Sequence, residues 1–270
     1  MAPLPKLPVP VPAPVPAPTP SRSIRAALSA IVVAGGRSSR LDGSPKALMR
    51  RPGGRELVHE AAAALLELGL PAQRIVVVGP QDLPLPAGVL RTREEPPFSG
   101  PASALAAGAS ALALAQPTGA SRSAGTDDPA AEGAADAAVE PDEQWTLTLA
   151  CDMPRAADAA RALIAEIVAL GTSRAPSPAA ETTASDCTGS APLVTPRGIV
   201  LTDRGILQPL AAAYRSAALG RHLADQPVVD RSVRGVLGSL WERQLAVRGL
   251  TDDVDTWDDV HRFGLVPDQD

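Results

Sequence analysis

A short glycine-containing segment that follows an apolar run is the part of the sequence best suited to binding phosphate. The run Ile31-Val32-Val33 is apolar and β-branched, which is typical of a strand buried on both faces. It leads into Ala34-Gly35-Gly36, where the lack of bulky side chains lets backbone N–H groups approach anionic oxygens closely. Successive N–H groups in such a turn can form an anion-binding site. We therefore interpret the segment as a candidate phosphate-binding loop.

Positive charge is concentrated directly after these glycines. Between residues 37 and 55 the only acid is Asp42, and the basic residues are Arg37, Arg40, Lys46, Arg50, Arg51 and Arg55. The whole chain has a formal net charge of -5, so this cluster runs against the overall balance. A positive field in a cleft suits a polyanion such as a nucleoside triphosphate. The alternative is a solvated loop after an ordinary strand, and the glycines alone do not decide between the two.

Two well-known phosphate-binding motifs are absent from the sequence. The glycines do not follow the spacing G-x-G-x-x-G, and no G-x-x-x-x-G-K-[ST] occurs. The sequence therefore predicts neither the dinucleotide fingerprint nor a Walker loop.

A second chemical feature is Asp152, which ends the predicted strand at 145–152 (WTLTLACD) and is followed by Met153-Pro154. In open parallel sheets ligands bind beyond the carboxyl ends of the strands, so Asp152 and the loop after Val33 are expected to share one crevice. Magnesium prefers carboxylate and phosphate oxygens, which makes Asp152 a candidate ligand. The alternative is that Asp152 only caps the next helix.

The elements that position these residues alternate between strands and helices. Predicted strands lie at 31–33, 74–79, 89–93 and 145–152, and predicted helices at 56–68, 102–114 and 156–170. This order predicts an α/β fold with a mostly parallel sheet and right-handed crossovers. Downstream we expect a strand or short hairpin at 191–202 and helices at 207–219 and 232–244.

Composition divides the chain into one domain and three segments without a core pattern. Residues 1–20 contain nine prolines, so residues 1–27 are predicted to be a disordered Pro-rich tail. Residues 28–266 are predicted to form a single domain. Low-complexity insertions are expected within it at about 116–144 and 172–190, where apolar periodicity is missing.

Bulk properties exclude several classes of function. The pI of about 5.3 argues against a general nucleic-acid binder. The sequence has no run of about 18 apolar residues and no signal-peptide core, so we expect a cytoplasmic protein without membrane contact. Cys151 and Cys187 lie in no cluster with metal-binding spacing, which excludes a zinc or iron–sulfur site. Cys151 is expected to point into the core rather than to act as a nucleophile.

The loop resembles the signature of a known superfamily. Residues 34–41 (AGGRSSRL) and 45–48 (PKAL) are similar to the loop of the nucleotidyltransferases that make sugar nucleotides and cofactor dinucleotides. The Gly-Gly-Arg form resembles the MobA-like molybdenum cofactor guanylyltransferases. This resemblance implies a Rossmann-like, three-layer nucleotidyltransferase fold. It implies nucleotide binding by Val33, Ala34, Gly35, Gly36, Arg37, Lys46, Glu95 and Asp152.

The resemblance also implies the roles of individual residues. Arg37, Lys46 and Asp152 would be catalytic. Arg37 and Lys46 belong to the loop motif, and Asp152 lies in the segment Ala-Cys-Asp-Met-Pro, which is similar to the family's metal-binding strand end. Glu95 lies where the family has an acid that contacts the nucleoside, although a solvated acidic pair before a turn is the alternative. Magnesium ligands would be Asp152, Asp253 and Asp255, the last two replacing asparagines of the family's closing motif. The alternative is that the acids of this segment only cap a helix, whose N-terminus is indicated by Thr256 with Asp259 three residues on.

The function implied is transfer of GMP from GTP to molybdenum-loaded molybdopterin, which yields the guanine dinucleotide cofactor and pyrophosphate. Mg²⁺ would be the cofactor. The partners would be GTP, the pterin acceptor and molybdoenzyme maturation proteins. Pro45 departs from the family, which usually has Asp before the lysine, and Pro-Lys is commoner in cytidylyltransferase relatives. A cytidylyltransferase acting on the same pterin and a non-catalytic nucleotide-binding module therefore remain as alternatives. A Rossmann-type oxidoreductase ranks third.

Overall fold

The computed structural model describes residue 25 and residues 27–36, 39–115, 143–172 and 195–267. Arg37 lies outside these ranges, as do most of the predicted tail and most of both predicted insertions. The assignment of residues 28–266 to a single domain stays a prediction.

Seven strands of the described residues form one mixed sheet in the order β3-β2-β1-β4-β6-β5-β7. Their bounds are β1 Leu28–Val33, β2 Ile75–Val78, β3 Leu90–Thr92, β4 Trp145–Ala150, β5 Gly198–Asp203, β6 Ile206–Arg215 and β7 Arg243–Val247. Strands β1 to β4 pair in parallel, and β7 pairs in parallel with β5. Among these seven described strands, β6 alone is antiparallel to both of its neighbours, β4 and β5. The fold is therefore the predicted α/β class with a mostly parallel sheet.

Helices cover both faces of this sheet. Their bounds are α1 Leu57–Glu67, α2 Pro101–Ala115, α3 Ala156–Thr172, α4 Ser216–Ala224, α5 Val233–Leu237 and α6 Trp257–Arg262. Helices α1 and α3 pack on one face and α2, α4 and α5 on the other, so each face carries its own apolar cluster. Strand β1 is buried along its whole length because successive side chains point to opposite faces of the sheet. Val32 packs in one apolar cluster and Val33 in the other. No helix among the described residues combines the length and the apolar character needed to cross a bilayer.

The predicted helix at 207–219 is wrong. Residues 206–215 form strand β6, and the helix begins only at Ser216. Ala211, Ala212 and Ala213 have high helix propensity, but here they are fully buried between β4 and β5. Helices cover both sides of the strand at this point, so small side chains fit and tertiary packing overrides local preference.

The predicted helix at 232–244 is also wrong over most of its length. It ends at Leu237, a 3₁₀ turn follows over Gly238–Leu240, and strand β7 begins at Arg243. Gly235 and Gly238 weaken a longer helix because glycine lowers helix stability by about 1 kcal/mol relative to alanine.

A third apolar cluster holds the C-terminal segment against the loop that follows β1. Its members are Leu41, Met49, Leu57, Val254, Val260 and Leu265. Arg50 and Val266 exchange two backbone hydrogen bonds, of 3.0 and 2.8 Å. Segments about 200 residues apart in sequence are thereby fixed side by side.

Candidate active site

The candidate site lies where two neighbouring parallel strands end. Val33, the last residue of β1, is paired with Ala150, the last residue of β4. The N–H of Cys151 donates to the carbonyl of Val33 at 3.0 Å, so the loops after both strands start at adjacent points. The sequence-based expectation that Asp152 and the glycine loop share one crevice is met by this arrangement.

Lys46 joins the glycine loop to the acids. It begins a 3₁₀ turn over Lys46–Leu48, and its side chain is largely buried. Its Nζ donates to Oδ2 of Asp152 at 3.2 Å and to Oδ1 of Asp255. Arg40 donates to Oδ2 of Asp255 at 3.1 Å. Two cations of the loop therefore contact acids from two distant segments.

Three carboxylates form a cluster that could hold a metal ion. Asp152, Asp253 and Asp255 each offer one oxygen, and these oxygens lie within 4.8 Å of one another. The arrangement depends on Val254, which is fully buried and whose N–H donates to the carbonyl of Asp152 at 3.0 Å. An all-carboxylate donor set fits a hard divalent cation such as Mg²⁺.

The helix start that Thr256 and Asp259 predict is present, and its capping carboxylate belongs to Asp259 rather than to Asp253 or Asp255. Thr256 and Asp259 form a capping box at the start of α6, in which each side chain accepts from the other residue's backbone N–H. The Asp259 carboxylate also accepts from the N–H of Asp255 at 3.2 Å. The cap thus fixes the backbone at Asp255, while the Asp255 side chain faces Lys46 and Arg40.

The pKa shifts follow from this concentration of charge. Partial withdrawal from water and the charges of Asp255 and Asp152 raise the pKa of Asp253. Burial alone would lower the pKa of Lys46, but its contacts with Asp255 and Asp152 outweigh burial, so this pKa is raised. Burial, and then the charge of Asp152, raise the pKa of the Cys151 thiol well above its usual value. Cys151 is buried, as expected from the sequence, and the raised thiol pKa disfavours the thiolate form.

Three cavities open around this point. The first, about 330 Å³, brings together the glycine loop, both cations and two of the acids: Val33, Ala34, Gly35, Gly36, Arg40, Lys46, Asp152 and Asp255 are among its lining residues. We call it the phosphate cavity. A second, about 370 Å³, lies across the glycine loop and is lined by Val33, Gly35, Gly36, Glu94, Phe98, Gly100, Pro101, Ala104 and Leu210. We call it the loop-side cavity.

The third cavity, about 350 Å³, lies on the other side of Asp152, and we call it the acceptor-side cavity. Its polar lining residues are Asp152, Gln208, Ser232, Arg234, Thr251 and Asp253. Leu210 lines all three cavities, so the three spaces meet around this side chain of β6.

Glu95 does not reach any of these three cavities. Its side chain is exposed, whereas the preceding residue, Glu94, is only 5% exposed and lines the loop-side cavity. The N–H of Phe98 donates to Oε1 of Glu94 at 3.0 Å. Sequence reasoning missed Glu94, and it also missed Arg40 as a partner of Asp255. The signal for Glu94 was weak, because two adjacent acids before a turn do not reveal which one faces inward.

The fold and the site define a class of protein. The sheet is mostly parallel, a glycine-containing basic loop follows its first strand, and an acidic cluster forms between the end of β4 and residues 253–255. Nucleotidyltransferases have this arrangement. Residues 30–243 match the family described as "MobA-like NTP transferase domain". The chain belongs to this family.

Three solved structures are similar to the chain at low sequence identity, and the first of them, with a TM-score above 0.5, shares its fold. Rv0371c from Mycobacterium tuberculosis is 18% identical with a TM-score of 0.53, and the alignment covers 88% of this chain and 96% of that one. A nucleotidyl transferase from Methanothermobacter is 18% identical with a TM-score of 0.49, over 87% and 95% of the two chains. A molybdopterin-guanine dinucleotide biosynthesis protein A from Archaeoglobus fulgidus is 13% identical with a TM-score of 0.44, over 87% and 96%. No curated protein sequence matches the chain significantly.

Proposed function

We propose that the protein transfers GMP from GTP to a terminal phosphate of molybdenum-loaded molybdopterin, in the cytoplasm, forming the guanine dinucleotide cofactor and pyrophosphate. The observation that carries this proposal is the contact of Lys46 with Asp152 and Asp255 in a cavity lined by Gly35 and Gly36. A cavity that combines backbone N–H donors, cations and a cluster of carboxylates suits a triphosphate together with a divalent cation.

The reaction needs positioning and charge neutralisation more than proton transfer. An oxygen of the acceptor phosphate attacks the α-phosphorus of GTP, and the bond from that phosphorus to the β-phosphate breaks, so pyrophosphate leaves with the electron pair. The attacking phosphate is already ionised and requires no general base. Gly35 and Gly36 would bind phosphate oxygens through their N–H groups, and Lys46 and Arg40 would neutralise charge that builds on the pyrophosphate. Arg37 is assigned to the same task by its place in the motif.

The acids supply the metal site in this proposal. Asp152, Asp253 and Asp255 would hold Mg²⁺, which when bound supplies Lewis-acid and template chemistry. The acceptor-side cavity supports the position of the pterin, because it shares Asp152 with the phosphate cavity and adds Arg234 as a cation for a phosphate group. Molybdoenzyme maturation proteins would receive the product.

A cytidylyltransferase acting on the same pterin is the second candidate, and Pro45 is the observation that favours it. Pro45 lies directly before the 3₁₀ turn that carries Lys46. The lysine reaches both acids without an aspartate at position 45, so this departure from the family does not argue against transfer itself. It bears only on the choice of base.

The experiment measures pyrophosphate after the full-length protein is incubated with Mg²⁺, molybdenum-loaded molybdopterin and each nucleoside triphosphate in turn. We expect GTP to be the preferred donor. Lys46→Ala and Asp152→Ala should each lower the rate by at least about 100-fold, because each removes charge stabilisation at the reacting phosphates. Arg221→Ala and Asp225→Ala change exposed residues outside the three cavities and should leave the rate unchanged. Nucleotide binding without pyrophosphate release would indicate a non-catalytic module, and preference for CTP would indicate the cytidylyltransferase.

A further inference from the structure

We infer that the protein has a second anion-binding site, which takes the phosphate group of a ligand at the carboxyl ends of strands β5 and β7. The site is separate from the three cavities of the candidate active site, and it goes beyond the proposed function. Two arginines, Arg204 and Arg248, would bind the phosphate.

The first observation is a cavity of about 650 Å³ at this end of the two strands, which we call the distal cavity. It is lined by Thr202, Arg204 and Gly205 around the turn between β5 and β6, and by residues 246–249 at the end of β7. It is larger than each of the three cavities of the candidate active site and shares no lining residue with them. Its volume is in the range that is usual for small-molecule sites.

The distal cavity lies at the edge of the sheet where ligands bind in open α/β folds. Strand β6 is antiparallel to both β4 and β5, so β5 runs in the same direction as β4, and β7 is parallel to β5. The carboxyl ends of β5 and β7 therefore lie at the same sheet edge as those of β1 and β4, and ligands bind beyond this edge. Strand β6 lies between β4 and β5 in the sheet, which separates the strand ends at the two sites.

The second observation is the charge of the lining residues, which include two arginines and no acid. Both arginines are exposed. The side chain of Arg248 forms no hydrogen bond or ion pair with any other described residue. A guanidinium group presents five N–H donors in a planar fork that matches the oxygens of a phosphate. Arg248 therefore has its full donor set available for a ligand.

Arg204 has acidic neighbours, but they leave it able to bind an anion. Its guanidinium lies 3.4 Å from the carboxylate of Asp252, which also pairs with Arg262 at 3.0 Å, so two arginines share this negative charge. Its Nε lies 4.0 Å from Oδ1 of Asp203, beyond hydrogen-bond distance. The Arg204 side chain is 67% exposed, and an exposed ion pair of this kind is weak. A phosphate can add to these contacts without breaking a buried pair.

The third observation is an arginine in a backbone conformation that its residue type disfavours. Asp203 and Ile206 are paired, so Arg204 and Gly205 form a two-residue turn, and their φ angles are 51° and 78°. Positive φ at both positions is the pattern of a type I′ turn, which prefers Asn or Asp before Gly. The turn itself therefore does not call for arginine. A ligand contact by the guanidinium accounts for its presence.

The shared chemistry of the ligand is a phosphate group, which two arginines bind through charge-assisted, often bidentate hydrogen bonds. An inorganic phosphate or pyrophosphate would use the arginines alone. An organic phosphate would also contact Ala246 and Val247, which give the cavity an apolar wall. The volume of the distal cavity has room for either source, and the experiment distinguishes them.

The test follows the Nε–Hε resonances of Arg204 and Arg248 by NMR in the full-length, ¹⁵N-labelled protein. The protein is titrated with GMP, pyrophosphate or acetate at constant ionic strength, and the variants Arg204→Asn and Arg248→Gln assign the two resonances. We expect GMP and pyrophosphate to shift both resonances together to saturation, and acetate to cause no saturable shift. Tighter binding of GMP than of pyrophosphate would identify an organic phosphate as the ligand, and the reverse order an inorganic one.

Each variant should also raise the Kd measured at the remaining arginine by about 10-fold, because a charge-assisted contact is lost. Arg204→Asn removes the guanidinium and supplies a residue that the turn prefers, so the fold is retained. The matched control is Arg221→Gln, which removes an equal charge from an exposed residue of α4 outside the distal cavity and should leave the Kd unchanged. If one variant fails to fold, the wild-type titration and the other variant decide the question.

The inference and the proposed function fail in different ways. If neither phosphate compound shifts the two resonances to saturation, or if acetate binds as tightly as pyrophosphate, the inference is overturned. An unchanged Kd in both variants would overturn it as well. Lys46→Ala changes the phosphate cavity, so it should abolish pyrophosphate release and keep both shifts. Absence of pyrophosphate release by wild type would overturn the proposed function and leave this site standing.

Discussion

The ammonium group of Lys46 contacts both Asp152 and Asp255, so in this structure it neutralises part of the charge that a divalent cation would neutralise. The same side chain lines the phosphate cavity, where a triphosphate offers it a second set of anionic partners. Lysine suits this task because its charge sits at the end of a long, flexible stem. We therefore expect Lys46 to compete with the metal for the acids until phosphate draws it away.

This competition predicts that Lys46→Ala binds metal more tightly in the absence of nucleotide, although it loses transfer activity. Removal of one positive charge within a few ångströms of the carboxylates should lower the Kd for Mn²⁺, a spectroscopic substitute for Mg²⁺, by about tenfold. Electron paramagnetic resonance titration measures the free ion directly. Arg221→Ala removes an equal charge from an exposed position on α4 and should leave the Kd unchanged. Unchanged or weaker Mn²⁺ binding by Lys46→Ala would contradict the competition.

At the scale of elements, the first turn of helix α2 forms one wall of the loop-side cavity. Pro101 and Ala104 from its first turn line that cavity. Proline is well tolerated at the first position of a helix, because an N–H at this position would have no hydrogen-bond partner within the helix. The helix lies very close to the sheet at Gly108, where a Cβ would be 2.6 Å from Cγ2 of Ile31 and 3.1 Å from Cγ2 of Val78. Both contacts are with buried, β-branched side chains that have little freedom to move.

Gly108→Ala should therefore destabilise the protein by about 1–3 kcal/mol, because the added methyl group overpacks the contact between α2 and β1. The matched control is Gly220→Ala in α4, where a Cβ would meet nothing within 4 Å. In that helix the same substitution should leave stability unchanged or raise it by up to about 1 kcal/mol. Urea denaturation of both variants measures the two free energies of unfolding. Equal effects at the two positions would show that packing at Gly108 is not the cause.

At the scale of the whole molecule, the elements that could be predicted from the sequence are those specified by local residue patterns. The β-branched run before Gly35 and the apolar segment before Asp152 specify buried strands, and strand order then brings their ends together. Strand β6 could not be predicted in this way, because an alanine-rich segment becomes a strand only through burial between β4 and β5. Glu94 could not be chosen over Glu95 for a related reason. The direction of each side chain depends on how the chain turns after β3, and the sequence does not specify that turn.

The three cavities are lined by segments from distant parts of the chain, including residues 33–36, 94–104, 150–153, 208–211 and 251–255. A ligand that bridges these segments binds only the folded state, so it should stabilise the whole molecule. GTP with Mg²⁺ at about 100 times the Kd should add roughly 2.7 kcal/mol, and thus raise the Tm by roughly 5–10 °C for a domain of this size. The acids would hold the metal, so EDTA or Asp152→Asn should remove most of this shift, whereas Asp225→Asn should retain it. A scanning calorimetry series on the full-length protein measures all four conditions. A shift with GTP that persists in EDTA would contradict a metal-bridged triphosphate at this site.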